Sequence, residues 1–586
     1  MISVSGNNWE EEKVNNRIID KVKHDYNLSS INAKQIVSKK FDKEEIFSLN
    51  NDINLNNPFL KELDFINAVE LLDYSIRNKE LICIIGDYDV DGCISTSLLV
   101  NFLKIIKGSY FYYIPNRFKD GYGSSLNLIK KLSLRKPKLI IMLDNGSTSY
   151  DAIDYLNQAK IKSIIIDHHE THKPYPKSNV FINPKKKSDY SNFDYFCTAV
   201  LTYFFIDLYI RKKNINLDFS LNLHFVLMAI VSDVMPLRKI NRIIAKKVLN
   251  DFNINEEYFF KQIFNLNKIK KPAEIDDFGF LFGPTINAAG RLSDPNIVID
   301  LFTSSNNKYK EKIINKLFKL NQRRKIIEKN ILNEIDFNEL KSDKNKILIL
   351  EKYNVSEGLI GIIASKIKTF LNKPCIVITK SGNIYKGSAR SSKILPIGSY
   401  IKNAKDLKIL ESGGGHNLAA GFTLKKEKLN QFKNFIYDKC NKNFTKSNLK
   451  FLLKLSFTAL NNNLITDLSK LKPYGEDNFN PYFLIENVKI IKTKILNNQF
   501  ISCFLKNRSG KLLNAISFSI LKSNISYNIL NNKNEVNIIV QIKENFWKNK
   551  KNIQVIIIDI INISNKAWLI VIFTIKSSNS VPSSIG

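Results

Sequence analysis

Three aspartates stand at alternate positions, Asp87, Asp89 and Asp91, directly after the apolar run LICII at 81–85. In extended backbone, side chains at alternate positions point to the same side. Three carboxylates at such spacing repel one another unless a cation neutralises them. The whole chain carries a net charge of +33, so this is an unusual place to concentrate negative charge. The spacing predicts a metal-ion site at the end of a strand.

An EF-hand calcium loop is the competing interpretation, because it begins with the same D-x-D-x-D-G pattern. That loop requires a bidentate Glu at its twelfth position. Counting from Asp87, the twelfth residue is Leu98. An EF-hand loop also follows a helix, whereas an apolar strand is predicted before Asp87. The sequence therefore excludes an EF-hand.

Three more polar groups follow apolar runs elsewhere in the chain. They are LIIMLDNGST (139–148), SIIIDHHE (163–170) and AIVSDVMPL (229–237), which contribute Asp144, Asp167, His168, His169 and Asp233. Ligands of open α/β sheets bind at the carboxyl ends of the strands, so we expect these side chains to share one site. A single aspartate after a strand is often only a helix cap or a turn residue. Four such groups in corresponding places favour a metal site instead.

The types of ligand indicate which ion this site holds. Mixed carboxylate and imidazole ligands suit Mn²⁺ or Mg²⁺ better than they suit zinc. A site rich in carboxylates can hold two ions roughly 3.5–4 Å apart, an arrangement used for phosphodiester hydrolysis. We therefore expect Mn²⁺ or Mg²⁺, with two ions bound.

The elements that position these residues are predicted from apolar runs that alternate with helix-like stretches. The runs of the first region are 81–86, 109–114, 138–143, 162–166 and 179–182. Such alternation is typical of a parallel sheet built from strand–helix–strand units. A second alternation extends from 346 to about 445, and an amphipathic stretch at 307–336 separates the two. After 450, short β-rich runs between turns predict a small barrel.

A chain of 586 residues is too long for one hydrophobic core and divides into several domains. We predict an α/β protein with two α/β domains joined by a long helix and followed by a β-barrel. The predicted segments are an N-terminal helical extension at 1–75, a first α/β domain at 76–305, a connecting helix at 306–340, a second α/β domain at 341–447, a barrel at 448–565 and a disordered tail at 566–586.

The composition limits the partners and the compartment. An excess of 88 Lys+Arg over 55 Asp+Glu indicates a polyanionic partner, either nucleic acid or an anionic membrane surface. The alternative is that lysines only solvate the surface of a Lys- and Asn-rich chain. Six cysteines without a CxxC pair predict a reduced protein without zinc or disulfides. No signal peptide or run of about 20 apolar residues is found, so we predict a cytoplasmic protein without membrane association.

Taken in order, DYDVDG, LDNGST, DHHE and SDVMPL resemble the four motifs of the DHH phosphoesterases. Further motifs resemble those of one branch, the RecJ single-strand-specific exonucleases, over about 75–560. These motifs are YIPNRFKDGYG (113–123), GPTINAAGRL (283–292), EGLIGIIAS (357–365), GSARSS (387–392), GGGHNLAAG (413–421) and KPYGEDNFNPYF (472–483). The resemblance implies a DHH catalytic domain, a DHH-associated domain and an OB-fold as the barrel.

The resemblance also implies roles for individual residues. The metal ligands it implies are Asp89, Asp91, Asp144, His168 and Asp233. The resemblance assigns Asp87, Asp167 and His169 to catalytic roles beside the ligands, including the role of general acid. The residues implied to bind the terminal 5′-phosphate and the DNA are Asn116, Arg117, Arg291, Ser388, Arg390 and His416. One departure is visible, because Val355 and Ser356 replace an aromatic–histidine pair that the family usually carries.

The function implied is a metal-dependent 5′→3′ exonuclease that degrades single-stranded DNA to mononucleotides in DNA repair and recombination. A small-nucleotide or short-RNA phosphodiesterase of the same superfamily is one alternative, although such enzymes end after the two α/β domains. A catalytically inactive DNA-binding scaffold is the other, although the ligand residues are intact. The expected partners are single-stranded DNA and a single-strand-binding protein or a helicase, with the enzyme itself a monomer.

Overall fold

The computed structural model describes residues 1–586 except 52–53, 122, 187–189, 255–256, 393–394, 444–447, 497–499, 520–522, 548–549 and 564–586. The predicted tail at 566–586 lies outside the described residues. Two compact units are present, a larger one of residues 42–446 and 472–479 and a smaller one of 1–41, 447–471 and 480–586. Among the described helices, none is both long and apolar enough to cross a bilayer.

The first sheet of the larger unit is five-stranded and entirely parallel, as the sequence predicts. In spatial order its strands are Tyr110–Tyr113, Ile82–Ile85, Leu139–Leu143, Lys162–Ile166 and Val180–Ile182. Alternate residues of the central strands face two different apolar cores: Ile82 and Ile84 face one, and Cys83 and Ile85 face the other. Burial on both faces explains why these strands are continuous apolar runs.

Helices pack on this sheet and extend the first α/β domain. They are Lys43–Phe47, Leu63–Arg77, Val90–Ile105, Leu126–Ser133, Tyr150–Gln158, Thr198–Lys212, Leu223–Ser232, Lys239–Asp251, Tyr258–Leu266, Ile275–Asp277, Gly283–Leu292 and Asn296–Thr303, with a π-helical turn at Phe278–Phe282. The helix Thr198–Lys212 is almost wholly buried, which its run of Val, Leu, Tyr, Phe and Ile residues requires.

A long helix, Asn307–Asn333, leads from the first sheet to a second one, and we call it the connecting helix. The second sheet contains, in spatial order, the strands Ser412–His416, Ala419–Lys425, Ile384–Arg390, Cys375–Ser381 and Leu348–Glu351. Its helices are Phe337–Ser342, Ile360–Leu371, Ile397–Asp406 and Leu429–Asn443. Only the last two strands of this sheet pair in parallel; the other pairs are antiparallel.

The smaller unit contains a closed five-stranded barrel. Its strands are Phe483–Leu496, Phe500–Lys506, Leu512–Ser517, Lys550–Asn562 and Val536–Trp547 in spatial order, and the last pairs with the first. The short strand Leu453–Lys454 and the helices Asn16–Asp25, Ser30–Ser38, Asn462–Lys470 and Asn524–Asn531 complete the unit. Together with the two α/β sheets and the connecting helix, this barrel confirms the predicted fold class.

The N-terminal segment belongs to the smaller unit. Its strand Asn8–Glu11 pairs in parallel with Asn448–Phe451, and the indole Nε1 of Trp9 donates a hydrogen bond of 2.9 Å to the buried carboxylate of Asp559. The predicted helical extension at 1–75 did not include this strand. The predicted domain boundaries themselves stay predictions.

Candidate active site

Three neighbouring strands of the first sheet deliver aspartates to the same edge. Asp87, Asp144 and Asp167 each lie within two residues of a strand's carboxyl end, and all three are at most 2 % exposed. Asp144 has φ of +62°, a left-handed conformation that costs a non-glycine residue on the order of 1–3 kcal/mol. Strain of this kind persists where the surrounding structure fixes it, and functional sites are the usual place.

Asp89 and Asp91 are positioned by the starts of two helices. Asp89 caps the helix Val90–Ile105, and its Oδ1 accepts a hydrogen bond of 3.1 Å from the Gly92 amide. Both carboxylate oxygens of Asp91 accept hydrogen bonds, 2.7 Å from the amide of Thr198 and 2.8 Å from that of Ala199. These amides open the buried helix Thr198–Lys212, so Asp91 is fixed by backbone more than 100 residues away.

His168 lies at the centre of the acidic group. Its Nε2 is 3.4 Å from Oδ1 of Asp144, 3.3 Å from Oδ2 of Asp233 and 3.8 Å from Oδ2 of Asp91. Asp233 comes from the end of the helix Leu223–Ser232. Ligand atoms within 4.8 Å of one another occur in three combinations: Asp91, His168 and Asp233; Asp87, Asp89 and Asp144; and Asp144, His168 and His169.

The acidic group is electrostatically incomplete without a cation. Burial, together with the charge of Asp89, raises the pKa of Asp87 to about 8 and that of Asp91 to about 6. Burial and the neighbouring aspartates raise the pKa of Asp144 and Asp233 well above the usual range. Oδ2 of Asp144 is also buried without a hydrogen-bond partner among the described residues. A divalent cation removes this repulsion and supplies the missing partner.

Asp167 and His169 form a pair beside the acidic group. Nδ1 of His169 is 2.7 Å from Oδ1 of Asp167, whose Oδ2 accepts a hydrogen bond of 3.1 Å from the Ser147 amide. Burial lowers the pKa of His169, but the charge and hydrogen bond of Asp167 outweigh it and raise that pKa to about 9. His169 is therefore an imidazolium at neutral pH, whereas burial holds the pKa of His168 well below its usual range.

His416 reaches this edge from the second α/β domain. Its ring is stacked on that of His169, with centroids 5.9 Å apart and planes inclined by 20°. Nδ1 of His416 is 3.9 Å from Oε1 of Glu170. Burial and the charge of Lys185 lower the pKa of His416 to about 4. A neutral ring from one domain thus faces a charged ring from the other.

Arginines converge at a second position between the two α/β domains. Nη1 of Arg390 donates hydrogen bonds to Oγ of Ser388 at 3.0 Å and to the Ala389 carbonyl at 2.8 Å. Nη1 of Arg291 donates to the Gly358 carbonyl at 3.1 Å. Burial lowers the pKa of Arg291 to about 10, and the charge of Arg117 contributes to this shift. Guanidinium groups that repel one another in a buried place indicate an anion site.

The loop that carries Asn116 and Arg117 adds a further guanidinium to this arginine group. The guanidinium of Arg117 lies 4.3 Å from the ring centroid of Tyr88, and its Nε is buried without a hydrogen-bond partner among the described residues. The side chain of Asn116 accepts a hydrogen bond of 3.0 Å from the Phe118 amide of its own loop and donates one of 3.5 Å to the Ser293 carbonyl. The structure thus brings Arg117 to the arginine group, whereas Asn116 shapes the loop.

Sequence reasoning missed Tyr88 and Gly361 at this site, and it missed Arg324, whose charge contributes to the lowered pKa of Arg291. Tyr88 and Gly361 are recognisable only from what they touch, the guanidiniums of Arg117 and Arg390. The sequence could have predicted that Arg324 faces inward. It lies seven residues from Leu317 and seven from Ile331, which are on the buried side of the connecting helix.

Val355 and Ser356 replace the aromatic–histidine pair that the family usually carries, and the structure shows how Val355 is packed. Val355 is 8 % exposed and packs in an apolar cluster of the second α/β domain. Its carbonyl accepts a hydrogen bond of 2.6 Å from Oγ1 of Thr379. The position is part of the packing of that domain.

Comparison with known proteins agrees with this architecture. The DHH family, N-terminal domain, matches residues 81–230, the DHHA1 domain matches 344–442 and the RecJ OB domain matches 453–559. A Salmonella typhimurium protein named single-stranded-DNA-specific exonuclease RecJ is 30% identical over 389 residues, which are 62% of this chain and 67% of that protein. The chain belongs to the RecJ family.

Other members of the RecJ family match more of the chain. A Bacillus subtilis protein of the same name is 25% identical over 94% of this chain and 70% of its own length. The crystal structure of RecJ in complex with Mn²⁺ from Thermus thermophilus superposes with a TM-score of 0.79 at 21% identity. That match covers 95% of this chain and 80% of the other, and it shows that the RecJ fold extends over nearly the whole chain.

Proposed function

We propose that this chain is a metal-dependent 5′→3′ exonuclease that degrades single-stranded DNA to mononucleotides. Its RecJ relatives are named single-stranded-DNA-specific exonucleases. The observation that carries the proposal is the buried group around His168, in which three carboxylates lie within 3.8 Å of one imidazole nitrogen. The arginine group of Arg117 and Arg390 supports an anion site next to it, because Arg117 lies over the ring of Tyr88, between Asp87 and Asp89 in the chain. A cation site beside an anion site is what cleavage near a phosphorylated end requires.

The residues that would hold Mn²⁺ or Mg²⁺, as two ions, are Asp89, Asp91, Asp144, His168 and Asp233. Bound ions of this kind polarise a phosphoryl oxygen and activate water for attack. The chain itself fixes the ligands before an ion binds. Asp91 is held by two helix amides, and Asp144 accepts a hydrogen bond of 3.2 Å from Oγ1 of Thr198. Preorganised ligands reduce the cost of assembling the site.

We assign catalytic support to Asp87, Asp167 and His169. Asp167 orients the His169 ring through Nδ1, which would leave Nε2 to donate a proton to the 3′-oxygen that departs from the scissile phosphorus. In the metal-free chain the charge and hydrogen bond of Asp167 raise the pKa of His169 to about 9, which favours the protonated ring. With cations bound beside it, Asp87 would lose its proton and add negative charge next to the ligands, at the end of the strand Ile82–Ile85.

Direction follows from the anion site. A terminal phosphate monoester carries up to one more negative charge than an internal diester, and a guanidinium binds it through paired hydrogen bonds. Arg117, Ser388 and Arg390 would hold this group, with the loop of Asn116 supporting Arg117. Arg291 and His416 would face the strand between the anion site and the metal ligands. A 5′-phosphate held here would leave the first internucleotide bond to the metal ligands.

The barrel and the positive charge of the chain support binding of single-stranded DNA. The protein would act as a monomer in the cytoplasm, in DNA repair and recombination. A single-strand-binding protein or a helicase would supply the substrate. A small-nucleotide or short-RNA phosphodiesterase is not favoured, because the OB domain extends beyond the two α/β domains. A DNA-binding scaffold without activity is not favoured either, because the ligand side chains converge.

The experiment is a time course on single-stranded DNA labelled at its 3′ end, with either a 5′-phosphate or a 5′-hydroxyl, with Mn²⁺ or with EDTA. We expect metal-dependent shortening from the unlabelled end and faster decay of the phosphorylated strand. Arg390→Ala should remove most of that preference, about tenfold or more for a charged hydrogen bond. Lys380→Ala is the control, because Lys380 is exposed on a neighbouring strand of the same sheet.

Immediate release of the labelled nucleotide would show the opposite direction and contradict the proposal. Equal decay of a duplex and a single strand would contradict the single-strand specificity. A preference for 5′-phosphate that survives in the Arg117→Ala, Arg390→Ala double variant would remove the anion site from the mechanism.

A further inference from the structure

The connecting helix turns one arginine inward. Arg323 and Arg324 are adjacent, yet Arg323 is exposed, whereas the side chain of Arg324 is 13% exposed. Arg324 stands on the same stripe as the buried residues Leu317 and Ile331. Burying a guanidinium is costly unless charged or polar partners compensate for the lost water. The helical pattern alone therefore does not explain why a charged guanidinium is buried at residue 324.

Contacts on both sides fix the connecting helix where Arg324 projects. One turn earlier, Nδ2 of Asn321 donates a buried hydrogen bond of 3.2 Å to Oγ1 of Thr285. Thr285 belongs to the helix Gly283–Leu292, whose last turn carries Arg291. The connecting helix is thus tied to the element that presents Arg291 to the anion site.

One turn later, a buried carboxylate ties the connecting helix to the second α/β domain. Glu328, whose side chain is 3% exposed, forms an ion pair with Lys366. Lys366 lies on the helix Ile360–Leu371, and the first turn of that helix brings Gly361 against the guanidinium of Arg390. Arg324 therefore stands between the elements that present Arg291 and Arg390.

The ion pair with Glu328 does not satisfy Arg324. The nearest approach, from Nη1 of Arg324 to Oε2 of Glu328, is 3.8 Å, longer than a hydrogen bond. Nε of Arg324 is buried without a hydrogen-bond partner among the described residues. Glu328 is also shared with Lys366. Guanidinium donors that remain unpaired beside other arginines are suited to an incoming anion with several oxygens.

We propose that Arg324 is a further arginine of the 5′-phosphate site and a specificity-determining residue, positioned by Glu328. This inference rests on the proposed function. The anion is the terminal phosphate monoester of a DNA strand, whose second charge distinguishes it from an internal diester. In agreement with a shared site, the charge of Arg324 is among those that lower the pKa of Arg291, after burial and Arg117. The connecting helix then recognises substrate as well as joining two domains.

The test measures binding in EDTA, where hydrolysis does not occur. Single strands labelled at the 3′ end, with a 5′-phosphate or a 5′-hydroxyl, are titrated with protein and followed by fluorescence anisotropy. Arg324→Gln should lower the ratio of the two affinities about tenfold, the loss of one charged hydrogen bond. Arg323→Gln, which changes the exposed neighbour, should leave the ratio unchanged.

A second variant separates binding from packing. If Arg324 only neutralises Glu328, the double variant Arg324→Gln, Glu328→Gln removes both charges together and should restore the wild-type ratio. We expect the double variant to keep the lowered ratio of Arg324→Gln while its melting temperature recovers toward that of the wild type. Restoration of the ratio, or an unchanged ratio in Arg324→Gln, would overturn the assignment of Arg324. Absence of any 5′-phosphate preference in the wild type would instead contradict the proposed function.

Discussion

Gly361 lies directly against the guanidinium of Arg390. A Cβ atom at residue 361 would come within 2.7 Å of Nη2 of Arg390 and 3.0 Å of Oγ of Ser388. Gly361 is in the first turn of the helix Ile360–Leu371, where the helix dipole favours anions. The missing side chain lets Arg390 and the helix start approach one another, as a shared phosphate site would require.

Gly361→Ala should therefore weaken recognition of the 5′-phosphate by displacing Arg390. We expect the preference for phosphorylated over hydroxyl ends to fall several-fold, with the hydrolysis of hydroxyl-ended strands unchanged. The measurement is the ratio of decay rates for the two substrates in Mn²⁺. Gly421→Ala is the matched control, because a Cβ there would meet only the Gly387 carbonyl, at 3.9 Å. A ratio equal to that of the wild type would show that Arg390 does not need this close contact.

Loss of a metal ligand should abolish cleavage without abolishing DNA binding. Asp144→Ala and His168→Ala each remove a donor from the centre of the buried group. We expect no measurable degradation in Mn²⁺, with binding in EDTA within a few-fold of the wild type, because binding depends on the arginines and the barrel. Asp154→Ala, on the exposed side of the helix Tyr150–Gln158, should behave as the wild type. Near-normal turnover by either ligand variant would rule out this metal site.

The metal-free protein should become less stable as the pH rises, and Asp87 should contribute to this loss. Its pKa is about 8 in the folded chain and about 4 when unfolded, so the folded state binds the proton more tightly. The stability from this proton is greatest below pH 4 and is lost as the pH rises through 8. Melting temperatures in EDTA between pH 5 and 8 should fall more steeply for the wild type than for Asp87→Asn. Parallel curves would contradict the prediction, and Mn²⁺ should flatten the wild-type curve.

The outer face of the barrel should contribute to binding of long single strands. In the strand Phe500–Lys506, Ile501, Cys503 and Leu505 are buried, whereas Phe504 is half-buried with the Lys492 ammonium 5.9 Å from its ring centroid. A base stacked on an aromatic ring contributes about 1–3 kcal/mol.

Phe504→Ala should therefore weaken binding of long oligonucleotides by about fivefold or more and leave very short ones unaffected. Tyr527→Ala, which removes an exposed ring from a helix of the same unit, is the control. A point variant is used here instead of a deletion of the barrel. Residues 1–41 belong to the same unit as the barrel, so deleting the barrel would also remove the part of the chain against which they pack. If Phe504→Ala lowered the affinity equally for short and long strands, this face of the barrel would not be binding the part of the DNA that lies far from the active site.

Local patterns in the sequence were sufficient for the first sheet, the barrel and the acidic group. They were not sufficient for the second sheet, where strand–helix alternation favours parallel strands but three of the four strand pairs are antiparallel. Apolar runs that end in aspartate or histidine identified the strands, and parallel pairing brings their carboxyl ends to one edge. His168 could therefore be assigned to the same place as Asp144 before any coordinates were known. The reason is that side-chain direction in a strand, and the edge at which parallel strands end, follow from backbone periodicity alone.

Contacts between distant segments were decided only by the tertiary structure. The amides that fix Asp91 start a helix more than 100 residues later, and the strand of Trp9 pairs beside the barrel at the far end of the chain. The inward position of Arg324 can be interpreted only when the packing of the two elements that carry Arg291 and Arg390 is known. Sequence periodicity shows which face of an element is buried, but the partner on that face is set by how all the elements pack together.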